Sequence, residues 1–213
     1  MIILFTSVGL VLFKAVIALL NKQDEKADLK VGKKDFLLMG MVFALTEAIL
    51  SYFYGCGREF LCHSLILFYL ISAAMIDHKT RKVYRIGSIV FIGVSVAMFF
   101  GNWNGDSFAM IEKLTSIFVF SMLVIFQGMR SMMGWGDVLT YVGAFFWLGA
   151  LSYECMTIEV LAVYMLIANL LFFICNIRKF DWKGKTMKEE VAFLPAMAGA
   201  AVMILWGLNW IKS

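Results

Sequence analysis

Proline and charge are both scarce in this chain, and each scarcity excludes a class of protein. One proline and 16% charged residues accompany 62% hydrophobic residues and a mean hydropathy of +0.85. A soluble domain of 213 residues needs more polar surface than this to cover its core. The short alternating segments of a membrane β-barrel are also lacking, because the apolar runs are long and continuous. The sequence therefore predicts an all-α fold, a polytopic membrane helical bundle.

Polar sequence long enough to form a separate domain is also absent. The longest polar stretches, 21–35 and 177–190, are too short to fold alone. The start at Met1 has neither a basic region nor a small-residue cleavage site, so we interpret it as a retained first span. We expect one integral membrane domain over 1–213, whose first two helices, over 1–60, form an N-terminal extension.

Apolar segments of helical length recur along the whole chain. A helix needs roughly 20 apolar residues to cross the hydrocarbon of a membrane, and about eight segments approach this length, the third and sixth being the shortest. Pro195 is expected to kink the last segment. The predicted spans are roughly 2–20, 36–54, 64–77, 87–103, 112–130, 138–153, 157–176 and 191–210.

Basic residues are concentrated in alternate loops between these segments. Most of the 19 Lys and Arg residues lie in the loops 21–35, 78–86, 130–137 and 177–190, which share one side of the membrane if there are eight spans. Because basic loops stay in the cytoplasm, the chain is predicted to be integral to the cytoplasmic membrane with both termini outside. The basic residues form no single patch, so we expect the lipid bilayer, and no nucleic acid, as a partner.

Two aspartates lie where the hydrocarbon should begin. Asp77 ends the third predicted span as it reaches the cytoplasm, and Asp137 begins the sixth as it leaves. Both carboxylates are therefore expected at one depth on one face. Two carboxylates about 3 Å apart share a proton, so one activates water while the other polarises a peptide carbonyl and protonates the leaving amine. Gly134 and Gly136 would let an extended substrate backbone approach the second acid closely.

Other roles for the two aspartates stay open from the residues alone. Asp137 would suit an N-cap of the sixth span, and Asp77 would suit a loop ion pair with Lys79 or Arg81. A different class of protein, a non-enzymatic transporter or assembly subunit, would use both acids to bind a cation. Against that alternative, the two acids lie at the membrane edge, whereas transport sites lie near the midplane.

The sequence around both aspartates resembles the motifs of the type IV prepilin peptidases, the GxGD aspartic proteases of bacterial membranes. Residues 76–83 (IDHKTRKV) resemble the first motif, in which basic residues follow an aspartate at a span end. Residues 134–139 (GWGDVL) resemble the second motif, and 193–196 (FLPA) resemble a late Phe-x-Pro segment. The resemblance covers about 64–205, which it identifies as a peptidase core.

The resemblance implies that Asp77 and Asp137 are the catalytic pair of an aspartic endopeptidase. Its partners would be prepilin-like substrates, cut between a short basic leader and an apolar helix at the cytoplasmic face of a bacterial or archaeal membrane. Five further residues would support substrate binding or the motifs: Gly134, Gly136, Lys79, Arg81 and Pro195.

Two departures from the family pattern affect what is expected. Relatives continue the first motif into Ile-Pro-Asn, whereas this chain reads Val83-Tyr84-Arg85. Many full-length relatives also carry a large cytoplasmic loop with paired Cys-x-x-Cys motifs, which accompanies methylation of the new N-terminus. The corresponding loop, 21–35, is short and has no cysteine, so the chain is similar to peptidase-only members and methyltransferase activity is not expected.

The four cysteines give no metal-binding pattern. Cys56 and Cys62 lie in a predicted external loop beside His63, where either a disulfide or free thiols would fit. Their spacing matches no strong zinc pattern, so we expect neither a metal nor a cofactor. Lys14 and Glu47, in the first two predicted spans, are expected to pair as buried opposite charges.

Overall fold

Eight α-helices follow one another through the part of the chain that the structure describes, and they confirm the predicted helical bundle. The computed structural model describes residues 2–23, 31–55, 57–80, 83, 85–102, 105–130, 133–152, 156–177, 180–181, 186–187 and 191–212. The helices are α1 (Ile2–Gln23), α2 (Lys33–Tyr54), α3 (Arg58–Thr80), α4 (Arg85–Gly101), α5 (Ser107–Met129), α6 (Trp135–Leu151), α7 (Thr157–Asn176) and α8 (Leu194–Lys212). Two short antiparallel strands, β1 (Phe180–Asp181) and β2 (Thr186–Met187), pair between α7 and α8.

Four of the helices are long and apolar enough to cross a membrane, by length and composition. They are α2, α3 from Glu59 onward, α5 and α7. The apolar parts of the other four helices, within the described residues, are 10–17 residues long. Large apolar side chains such as Val11, Leu37 and Phe118 are exposed on the outer faces, as lipid-facing helices require. The membrane character is thus supported, and the crossing of all eight helices stays a prediction.

Helix α6 lies at the centre of the bundle. Its side chains Tyr141, Phe145 and Trp147 are all fully buried. Two glycines let neighbours approach closely: a Cβ at Gly143 would lie 2.5 Å from a ring carbon of Phe91 on α4, and Gly149 similarly faces α5. The helix that carries Asp137 is therefore fixed on several sides by packing.

The two N-terminal helices pack into the same hydrophobic core as the other six helices. Helix α1 packs on α2, α2 packs on α3, and α8 packs on both α3 and α7. One cluster of buried apolar side chains runs from Phe13 on α1 to Leu208 on α8. Helices α3, α6 and α8 converge inside this arrangement, and each contributes a terminus to the site described below.

Two sequence predictions about single residues are wrong. Pro195 does not kink the last helix, because α8 begins at Leu194 and places the proline in its first turn, where a missing backbone N–H costs nothing. Lys14 is exposed and does not pair with Glu47, which accepts a hydrogen bond from Ser64 Oγ at 2.9 Å. A hydroxyl from a neighbouring helix satisfies the buried carboxylate without the desolvation of an ammonium group.

Candidate active site

Asp77 is buried in the last turn of α3 and is stabilised from another helix. Its side chain is 4% exposed, and Oδ2 accepts a hydrogen bond from the backbone N–H of Leu194 at 3.1 Å. Leu194 is the first residue of α8, so this N–H belongs to the partially positive end of that helix. The amino terminus of α8 thereby offsets the unfavourable position of an acid at the carboxyl end of α3.

Asp137 lies in the first turn of α6, three residues after the N-cap residue Gly134. A carboxylate in this turn interacts favourably with the helix dipole, and the backbone amide of Gly134 hydrogen-bonds to it. Capping uses only part of the hydrogen-bonding capacity of this carboxylate. Its Oδ1 atom is buried and has no hydrogen-bond partner among the described residues, which leaves it available to a bound group.

The structure brings Asp77 and Asp137 into one site. The two carboxyl groups are close enough for their charges to interact. They come from opposite ends of their helices, one from the end of α3 and the other from the start of α6. Two neighbouring carboxyl groups can divide the roles of acid and base between them.

The second glycine of the motif, Gly136, has a packing role. A Cβ there would lie 2.4 Å from Cβ of Val83 and 3.1 Å from the Val83 carbonyl oxygen. Only a residue without a side chain lets Val83 lie this close to the start of α6. At Gly134, a Cβ would lie 3.3 Å from Oδ2 of Asp137. Gly136 therefore fixes how the two aspartate-bearing segments meet.

Lys79, a basic residue of the first motif, contacts another helix. Lys79 forms an ion pair with Asp35 in the first turn of α2, and Asp35 also accepts a hydrogen bond from the backbone of Gly32 at 2.8 Å. The pair ties the end of α3, two residues after Asp77, to the start of α2. Arg81 lies outside the described residues. Pro195 is exposed at the start of α8.

A buried hydrogen-bond network beside Asp137 was not predicted from the sequence. Ser88 Oγ on α4 lies 3.0 Å from the hydroxyl of Tyr69 on α3 and 3.2 Å from Thr140 Oγ1 on α6. Thr140 donates to the carbonyl of Gly136 at 2.9 Å, and Ser88 lies 3.5 Å from the same oxygen. The network joins three helices at the residue before Asp137. Its sequence signal is single polar residues in apolar helices, which is common and unspecific.

Tyr141 was also missed. It follows Asp137 by four residues, which places both side chains on one face of α6. Tyr141 is fully buried, and its hydroxyl has no hydrogen-bond partner within the described part of the chain. The hydroxyl is close enough to Asp137 for the two groups to interact electrostatically. The spacing of four was the only available signal.

Comparison with known proteins adds no assignment. No protein-family model, curated protein or solved structure matches this chain. Within the described ranges, no group of three or more His, Cys, Asp or Glu side chains is arranged to hold a metal ion. Cys56, which was expected either to form a disulfide with Cys62 or to be a free thiol, lies outside the described residues. The groups of the site that could carry chemistry are therefore its two carboxyl groups and their neighbours.

Proposed function

We propose that this chain is a membrane aspartic endopeptidase that removes the short basic leader from prepilin-like precursors. The observation that carries the proposal is the nearness of the buried Asp77 to the half-buried Asp137, whose Oδ1 atom is buried and unpartnered among the described residues. Support also comes from the resemblance of the flanking sequences to the two prepilin peptidase motifs. We propose peptidase activity without methyltransferase activity.

The proposed reaction is hydrolysis of one peptide bond by the two carboxyl groups. The ionised carboxylate accepts a proton from water, and the water oxygen bonds to the carbonyl carbon while the protonated carboxyl polarises the carbonyl oxygen. The tetrahedral intermediate then loses its C–N bond, and the leaving nitrogen receives a proton from the pair. The roles belong to the pair and are not divided between Asp77 and Asp137.

The proposed substrate follows from the location of the site. Helices α2, α3, α5 and α7 are long and apolar enough to cross a membrane, and Asp77 lies within the last turn of α3. If the apolar helix of a substrate lay beside these helices in the bilayer, the peptide bond just before that helix would lie at the depth of Asp77. The basic loops favour the cytoplasmic face. We therefore propose a site in the cytoplasmic membrane that faces the cytoplasm.

Substitution of either aspartate tests the proposal. We expect Asp77→Asn, Asp77→Ala, Asp137→Asn and Asp137→Ala each to reduce cleavage of a co-expressed precursor by at least about 10³-fold, because each removes a group that exchanges the proton. The measurement is the ratio of processed to unprocessed precursor, with a basic leader before an apolar helix. Chelators are expected to leave the rate unchanged.

Asp106→Asn is a matched control. Asp106 caps α5, where its Oδ1 accepts hydrogen bonds from the backbone of Phe108 and Ala109 at 2.9 and 3.2 Å, and asparagine caps equally well. We expect wild-type cleavage from this variant. Full processing by a single Asp77 or Asp137 variant would contradict the proposal. Loss of an ion dependence in those variants, with no proteolysis by the wild type, would favour the transporter alternative.

A further inference from the structure

Two buried polar atoms on the same face of α6 have no partner among the described residues. They are Oδ1 of Asp137 and the hydroxyl oxygen of Tyr141, one turn further along the helix. A buried polar group without a hydrogen bond destabilises the folded protein. Two such atoms, four residues apart and close enough to interact, indicate a place where a polar ligand supplies the missing hydrogen bonds.

Packing does not explain why residue 141 is a tyrosine. Its ring lies against those of Phe145, Tyr164 and Phe193, with centroids 5.5, 5.6 and 5.7 Å away. A phenylalanine ring would make the same contacts. Tyr164 differs in this respect, because its hydroxyl lies 3.5 Å from the carbonyl oxygen of Met197 and so has an acceptor. The hydroxyl of Tyr141 has no such structural use within the described residues.

We propose that Tyr141 is a further catalytic residue, whose hydroxyl donates a hydrogen bond to the carbonyl oxygen of the scissile peptide. This inference rests on the proposed endopeptidase function. Negative charge develops on that oxygen when water attacks the carbonyl carbon, and a fixed donor stabilises it. Tyr141 contributes a hydrogen bond and transfers no proton. The water proton goes to the aspartate pair, and the leaving nitrogen receives a proton from the same pair.

The location of Tyr141 fits this role. Asp137 and Tyr141 project from one face of one helix, so a peptide bound at the carboxylate would reach the hydroxyl one turn away. Oδ1 of Asp137 and the hydroxyl of Tyr141 are both buried, and the exclusion of competing water strengthens a hydrogen bond to a developing charge. Helix α6 is fixed by close packing against α4 and α5, so the spacing of the two groups is set before the substrate binds.

The test compares Tyr141→Phe with Tyr164→Phe in the full-length protein. The probe is a purified precursor with a basic leader and an apolar helix, and kcat and KM are measured with the thermal unfolding midpoint. We expect Tyr141→Phe to lower kcat by about 10²-fold with KM within about twofold. Its midpoint should equal or exceed that of the wild type, because an unpartnered hydroxyl is removed. Tyr164→Phe should keep wild-type kcat.

Any result other than these would contradict the proposed role of Tyr141. A Tyr141→Phe protein with wild-type kcat would overturn it while the aspartate variants remained inactive, and the proposed function would stand. A fall in kcat accompanied by an equal fall in Tyr164→Phe, or by a lower midpoint, would show a structural role instead. Cleavage by the Asp77→Asn and Asp137→Asn proteins at the wild-type rate would remove the proposed function and this inference together.

Discussion

Helices α3 and α6 contribute to two buried polar clusters, and the clusters differ in whether their members are paired. The first is the aspartate site, formed by Asp77, Asp137 and Tyr141. The second is the glutamate cluster, formed by Glu47, His63, Ser64 and Trp147. Along α3 the two lie about 20 Å apart, from the helical rise over the residues between Ser64 and Asp77. The same pair of helices therefore supports two polar environments.

The glutamate cluster is internally satisfied. Ser64 donates to Glu47 at 2.9 Å, and Trp147 Nε1 donates to His63 Nδ1 at 3.0 Å. These bonds connect α2, α3 and α6. In the aspartate site, Asp77 is bonded to the start of α8, whereas Asp137 and Tyr141 each keep an unpartnered buried oxygen within the described residues.

We infer that the paired groups of the glutamate cluster stabilise the fold, whereas the unpaired groups of the aspartate site are available to a ligand. An unsatisfied buried polar atom costs about 1–3 kcal/mol. Proteins retain such costs at sites where activity needs them. Substitutions in the glutamate cluster should therefore reduce stability and leave cleavage unchanged. Substitutions of Asp137 or Tyr141 should reduce cleavage and leave stability unchanged or higher, whereas loss of the Asp77 acceptor should reduce both, because the N–H of Leu194 loses its partner.

The largest effect outside the aspartates themselves is expected at Gly136. Gly136→Ala places a Cβ 2.4 Å from Cβ of Val83, so Val83 and the start of α6 must move apart. We expect a stability loss of about 1–3 kcal/mol and a fall in cleavage rate of about 10²-fold, because a displacement near 1 Å separates the two acids from their working geometry. Thermal unfolding and the kinetics of precursor cleavage measure the two effects.

Gly93→Ala is the matched control for Gly136→Ala. Gly93 lies on α4, and a Cβ there would meet nothing within 4 Å. Alanine is the better helix former by about 1 kcal/mol, so the variant should be at least as stable as the wild type and fully active. Equal behaviour of the two alanine variants would contradict the packing role of Gly136.

The next effect separates the two clusters by stability. Ser64→Ala removes the hydroxyl that bonds to Glu47, and we expect a loss of about 1–3 kcal/mol in the free energy of unfolding with unchanged cleavage. Ser72→Ala on the same helix is the control. Ser72 is buried and its hydroxyl has no partner among the described residues, so its removal should not destabilise the protein. A cleavage defect in Ser64→Ala would break the distinction between the clusters.

The smallest effect is expected from the network that adjoins Asp137. Ser88→Ala removes the hydroxyl shared by Tyr69 and Thr140, which should lower kcat by about two- to tenfold, the equivalent of one hydrogen bond. Ser95 is equally buried on α4, with an unpartnered hydroxyl in the described part of the chain. Ser95→Ala should match the wild type, and an equal effect of both variants would argue against positioning by Ser88.

The location of the helices was predictable because long apolar segments indicate helices in a membrane protein. Each of the eight apolar segments became a helix, with ends that shifted by a few residues. The largest shift is at α3, predicted from 64 and observed from Arg58. Polar and charged residues at a helix start do not interrupt a helix, although they end an apolar segment. Hydropathy therefore located the helices better than it located their ends.

The two aspartates were predictable because acids at membrane depth are rare. Their supporting contacts were not. The donor to Asp77 is the backbone amide of Leu194. Because almost every residue has such an amide, the sequence does not show which one donates. The partner of Lys79 is Asp35, which lies far away along the chain. The positions of Tyr141 and Ser88 relative to Asp137 depend on helix packing angles, and single polar residues in apolar helices do not reveal those angles.

The most direct test of the central claim is cleavage of a defined precursor by the purified protein in lipid, followed by mass spectrometry of the products. The wild type should cut once, at the boundary between the basic leader and the apolar helix. The Asp77→Asn and Asp137→Asn proteins, each still folded by its cooperative thermal unfolding, should leave the precursor intact. Products of the same mass from either variant, at a rate near that of the wild type, would contradict a shared site.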